Sequence, residues 1–281
     1  MRKRPTRLKA GTIMLIGIIC LFSMFPLFWM ISTSFKPAAE VFTNNPNFIP
    51  KNPTLSGYIT MFTVKTKTVD FLGWAANSAI CAFFTSIFGL IVASLGGYGM
   101  SRFRFRGRMP LGYFILIVQV IPGSLLVIPL FMILSELKLL NSFFGLIIMY
   151  VTFAVPFCTW MMKGFFDTIP LSLDEAARID GASEFATFFR IVLPLTLPGM
   201  AVTAFFSFIT GWNEYLFASV CMRDYSKWTL SVGLSSFQGQ YNTSWTNLMA
   251  GSVLITIPIV VLFIVLQKYL VGGMTAGAVK Q

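Results

Sequence analysis

Apolar residues run through this chain in long unbroken stretches. Six of them are long enough to cross a bilayer as helix, which takes about 20 residues. They cover 11–32, 71–101, 110–134, 143–162, 194–220 and 247–266. Continuous apolarity predicts helices, because the strands of a membrane barrel would alternate. The expected fold is all-α, a polytopic bundle of six transmembrane helices forming a single domain over residues 1–281. The first stretch is too long for an apolar signal core and no clear small-x-small cleavage site follows, so it reads as a retained span. Pro122 and Pro129 in the third span and Pro156 in the fourth each free a backbone carbonyl and mark places for bends.

The polar positions set the orientation. An even number of spans puts both ends on one side. Arg2, Lys3, Arg4, Arg7 and Lys9 precede the first span. Arg102, Arg104, Arg106 and Arg108 fill the loop after the second, and Lys268 and Lys280 lie at the C-terminus. The positive-inside rule places these residues and both termini in the cytoplasm. On the external side fall 35–70, rich in Pro and Asn and therefore irregular, a short loop around Glu136 and Lys138, and 221–246.

One cytoplasmic loop, 163–193, is unusually long and patterned. Ser172 and Glu175 have the spacing of a capping box. Asp174 and Arg178 are an i,i+4 pair with the acid first. Gly181 stands where a helix end wants a left-handed residue. Ser183 is placed to cap a second helix, whose Phe185, Phe188, Phe189 and Val192 share one face. The reading is helix, glycine turn, helix, at the membrane surface. Two roles fit: an interfacial hairpin packed only on its own bundle, or a docking platform for a soluble partner.

Composition then narrows the function. Of 281 residues, 56% are hydrophobic and 11% charged, against about a quarter charged in soluble domains. The net charge of +11 lies largely in the clusters beside spans, so it does not point to nucleic acid, and "RFRFR" reads as a headgroup anchor. Cys20, Cys81, Cys158 and Cys221 form no CxxC pair and read as small apolar residues. The chain has no histidine, no Ser/His/Asp set and no G-x-x-x-x-G-K-[ST] loop, so neither an intramembrane enzyme nor a nucleotide-binding site is expected. "GGYG" at 96–99 suits close helix packing. The absence of an internal repeat gives no support to a repeat-built secondary carrier.

The run "EAARIDGASEFATFFRIVLPLTLP" resembles the EAA loop of ABC importer permeases. Glu175, Ala176, Ala177, Gly181, Ile191, Leu193 and Pro194 fall on that family's pattern. Asp180, Ala182, Phe188 and Pro198 fit its sugar-importer form. "WNEYLFAS" at 212–219 and the tail "LQKYLVGGMTAGAVK" resemble the MalG-like branch of carbohydrate permeases. The resemblance implies a bacterial inner-membrane subunit of a sugar importer driven by ATP and supplied by a solute-binding protein. It further implies a second homologous permease and a dimer of cytoplasmic ATPase subunits. ATP and Mg would belong to the ATPase, with no cofactor or metal in this chain. Glu175, Ala176, Ala177, Asp180, Gly181 and Ala182 would form a coupling helix seated on the ATPase; for Glu175, capping alone is the alternative.

A sugar is recognised by amides, hydroxyls and aromatic faces. Candidates along a pathway are Asn77, Gln119, Asn213, Glu214 and Tyr215, with helix packing or an interhelical hydrogen bond as the competing role for each. Ser78, Thr152, Trp160 and Trp212 are of the same chemistry. In the resembled family the polar external stretch 235–247 reaches the binding protein, which points to Gln238, Gln240 and Tyr241. Alternatives are a permease for another solute such as glycerol phosphate, an ion-coupled carrier for which Glu214 is the only acid within a span, and a scaffold without transport.

Overall fold

The computed structural model describes residues 10–43, 47–66, 69–239 and 243–278. In chain order the helices are α1 (Ala10–Ser34), α2 (Ala38–Val41), α3 (Ser56–Thr63), α4 (Phe71–Arg102), α5 (Arg108–Val118), α6 (Gly123–Glu136) and α7 (Phe143–Asp167). Next come α8 (Leu171–Ile179), α9 (Glu184–Thr187), a π-helical turn (Phe188–Val192), α10 (Leu193–Leu195), α11 (Leu197–Trp212) and α12 (Leu216–Cys221). A 3-10 turn (Tyr225–Lys227), α13 (Leu230–Ser235) and α14 (Trp245–Ala278) follow. The described residues contain no β-strand, and their β pairing is limited to isolated bridges such as that between Gln238 and Thr243. The all-α expectation therefore holds.

Among the described residues, four helical stretches are long and apolar enough to span a bilayer: Gly11–Ser34, Phe71–Arg102, Phe143–Asp167 and Trp245–Tyr269. The two remaining expected spans are not continuous. The third is α5 and α6 meeting at 97°. Its break is at Gln119–Ile121, whose N–H groups bond three residues back in tight turns, followed by Pro122, which has no N–H to offer. In the fifth, α9 to α10 and α11 meet at 82° across Thr196. The Thr196 hydroxyl and N–H both bond the Leu193 carbonyl there. That span then stops again at Trp212 and resumes as α12.

The chain divides into two compact units. One is Met1–Lys65 with Leu234–Thr256. Its α1 is exposed from 11 to 28. At its far end the buried Lys36 ammonium lies over the Trp29 ring, 4.3 Å from the centroid. Thr246 donates to the Lys36 carbonyl at 2.8 Å, tying the start of α14 to the end of α1.

The second unit is Thr66–Gly233 with Ile257–Gln281, and α4, α7 and α11 are its packed centre. Gly97 shows why these helices can approach so closely. A Cβ there would sit 2.8 Å from the Lys163 backbone nitrogen, so "GGYG" serves packing as expected. One apolar cluster in this unit includes Cys81, Leu146, Tyr150, Phe217 and Ala218. Another includes Ala93, Tyr98, Cys158, Met162, Phe166, Phe188 and Val192, and it receives the patterned loop.

Candidate functional site

The loop forms because its local signals are consistent. After α7, Pro170 is extended and α8 starts directly behind it, at Leu171. Ser172 therefore lies inside the helix, and the expected capping box with Glu175 does not form: the cap position belongs to Pro170, without a side-chain bond. The C-terminal end follows the pattern closely. Gly181 has φ +80°, its N–H bonds the Arg178 carbonyl at 3.1 Å, and the Ala182 N–H bonds the Ala177 carbonyl at 2.9 Å. That is a Schellman turn, which needs a left-handed residue where glycine stands. Ser183 then caps α9 as predicted, its hydroxyl accepting from the Ala186 N–H at 3.2 Å.

Two anchors fix α8 and α9 to the second unit. Asp174 is buried and lies 3.2 Å from the Arg102 Nε at the end of α4, with the two side chains 7% and 5% exposed. The approach is electrostatic, since Nε is not aimed along a hydrogen bond. The guanidinium also donates to the Ile169 carbonyl at 3.1 Å, and the Tyr98 hydroxyl reaches Asp174 at 3.5 Å. The expected Asp174–Arg178 pair is thus replaced: Asp174 faces inward, while Arg178 points out and pairs with Glu184 at 2.7 Å.

The second anchor is apolar. Phe188 packs on Tyr98, ring centroids 4.6 Å apart, and on Phe166 at 6.2 Å. The expected four-residue apolar face divides here, because Phe188 and Val192 are buried while Phe185 and Phe189 are exposed. The π-helical turn at Phe188–Val192 widens the helix and rotates the register.

What remains outward is a surface. Glu175, Ala176, Asp180 and Gly181 are exposed, Ala182 is half-buried and Ala177 is buried. Ile179 is 87% and Phe185 75% exposed, so the hairpin leaves two large apolar side chains uncovered by its own bundle. The sequence places Phe185 on an apolar face turned to the bundle and Arg102 only in the basic loop, and it gives Ile179 and Tyr98 no role. The inward spacing of Asp174 and Ala177 is the signal that distinguishes the two faces.

The candidate pathway residues do not come together as one site. Asn77 is buried, and its amide donates to the Ser226 and Trp228 carbonyls, both at 2.9 Å. Ser78 accepts from the Leu230 N–H at 2.7 Å. Both hold the stretch 226–230 against α4. Gln119 is exposed at the α5–α6 break and donates to the Phe153 carbonyl at 3.0 Å. Glu214 accepts from the Phe217 and Ala218 N–H groups at 2.8 and 3.0 Å, so its carboxylate caps α12. Asn213 and Tyr215 flank it and are exposed. The Thr152 hydroxyl bonds within its own helix. Gln238 is exposed and pairs with Thr243 in an isolated bridge, whereas Gln240 and Tyr241 lie outside the described residues.

Residues 86–276 match the family profile described as "Binding-protein-dependent transport system inner membrane component". The chain is 36% identical to the galactooligosaccharides transport system permease protein GanQ of Bacillus subtilis, covering 95% of this chain and 94% of that protein. It is 34% identical to the diacetylchitobiose uptake system permease protein DasC of Streptomyces coelicolor, covering 96% and 95%. In structure it is similar to a chain of a bacterial ABC transporter involved in import of the acidic polysaccharide alginate. That match has a TM-score of 0.77 at 26% identity, covering 95% of this chain and 99% of the other.

Proposed function

We propose, from the premise that this chain belongs to the binding-protein-dependent transport system inner membrane component family, that it is a permease subunit of an ATP-driven sugar importer. The observation that carries the coupling role is the α8–Gly181–α9 hairpin. It is held inward by Asp174 and Phe188 and shows Glu175, Ala176, Ile179 and Phe185 outward. Small alanine side chains let another surface come close, and Glu175 offers it a carboxylate. In this reading the hairpin is the coupling helix of a cytoplasmic ATPase dimer, which binds ATP and Mg and hydrolyses the nucleotide. Closure of that dimer moves α8, and the Arg102–Asp174 and Phe188–Tyr98 contacts carry the movement into α4.

The remaining assignments follow from the same premise. The termini and the hairpin are cytoplasmic, a second homologous permease completes the translocation path, and a solute-binding protein delivers cargo from outside. Oligosaccharide names among the relatives support a sugar. The capping role of Glu214 leaves an ion-coupled carrier no free acid in the fifth span.

Proteoliposomes holding the assembled importer, its binding protein and a panel of oligosaccharides decide the question. Uptake is expected with ATP on the ATPase side and no ion gradient. Uptake that follows a sodium or proton gradient and ignores ATP would overturn the reading.

A further inference from the structure

We propose that the α4–α5 loop is a binding site for the headgroup of an anionic phospholipid. Arg104, Arg106 and Arg108 lie within five positions between two membrane helices, and they line an open concavity of about 600 Å³ together with Phe105, Gly107, Met109 and Pro110. No carboxylate is ion-paired to any of the three among the described residues. The fourth arginine, Arg102, is occupied by Asp174 and the Ile169 carbonyl. Asp167, which lines a neighbouring concavity with Arg108, is held by the Ser101 hydroxyl at 2.7 Å and by Lys163. The charge of the concavity is therefore uncompensated by the chain.

Arg108 deepens that imbalance. It is the first residue of α5, where the helix dipole favours an acid and none is present. Guanidinium forks match phosphate oxygens. A free phosphate would not need apolar company, yet Phe103 and Phe105 alternate with the arginines and are each 45% exposed. Rings beside cations at the end of a span suit the boundary between headgroup and acyl chain. Arg102 contacts Asp174, so the loop lies at the same end of the span bundle as α8. The proposed cytoplasmic side of α8 is the side whose leaflet supplies anionic lipid. The site does not depend on the transported solute.

The test uses the intact importer purified in bilayer discs of phosphatidylcholine with a rising share of phosphatidylglycerol, and native mass spectrometry to count retained lipid. Wild type is expected to enrich phosphatidylglycerol. The triple variant Arg104→Gln, Arg106→Gln, Arg108→Gln loses that enrichment, at about fivefold in affinity for each arginine removed. The triple lysine variant, which keeps charge and insertion, retains most of it. Should the glutamine chain fail to insert, the single glutamine variants carry the same fivefold expectation. Equal enrichment in the glutamine variants overturns the proposal. Displacement of the lipid by inorganic phosphate overturns it in favour of a free anion. Loss of the ATPase subunits with lipid retention unchanged overturns it in favour of a protein partner.

Discussion

Gly181 occupies a backbone conformation with φ +80°, and a Cβ added there would meet no atom within 4 Å. Space is therefore not the reason for glycine; the left-handed dihedral is. A β-branched side chain in that region costs about 1–2 kcal/mol, while asparagine adopts it readily. Gly181→Val is expected to distort the Schellman turn and uncouple ATP hydrolysis from uptake, with normal amounts of permease in the membrane. Gly181→Asn is expected to keep most coupling. Measuring ATP hydrolysed per solute imported in the two variants checks this, and equal coupling in both would remove the turn from the mechanism.

At the level of the helix, the Arg102–Asp174 pair joins α8 to α4 from inside the protein. Removing one partner of a buried pair leaves an uncompensated charge and costs about 3–5 kcal/mol, whereas removing both is often much cheaper. Asp174→Asn and Arg102→Gln are each expected to lower the melting temperature of the purified complex and raise futile ATP hydrolysis. The double variant should recover part of both losses. Losses that simply add would show that the two residues act separately. This pair also marks the limit of what was readable in advance. Ser183 and Gly181 were legible because capping and positive φ are set by residues within one turn. The long apolar runs were legible because a bilayer needs unbroken helix. Asp174, by contrast, had an acceptable local partner in Arg178, and only the fold brings Arg102 to it. Pro122 and Pro129 look alike in sequence. Yet Pro129 sits inside α6, and Pro122, with Gly123 next to it, stands at the 97° break.

For the assembled importer the deciding residue is Glu175. Its neighbours on α8 alternate in role, with Asp174 and Ala177 turned inward and Glu175 and Ala176 outward. It makes no capping bond, because α8 begins at Leu171 with Pro170 before it. It is not ion-paired among the described residues either. Glu175→Gln therefore removes a charge and nothing that holds the hairpin together. If Glu175 meets a cation on the ATPase and is covered by it, the loss of that bond costs about 2–5 kcal/mol; an exposed pair is worth roughly 1 or less. The variant is expected to reach the membrane at wild-type levels and to melt at the wild-type temperature as an isolated permease pair. It should retain less ATPase through purification, and the deficit should narrow as salt is raised, because salt weakens the wild-type attraction it lacks. Copurification equal to wild type at low salt would mean that docking rests on the apolar contacts of Ile179 and Phe185, and that the carboxylate has no part in it.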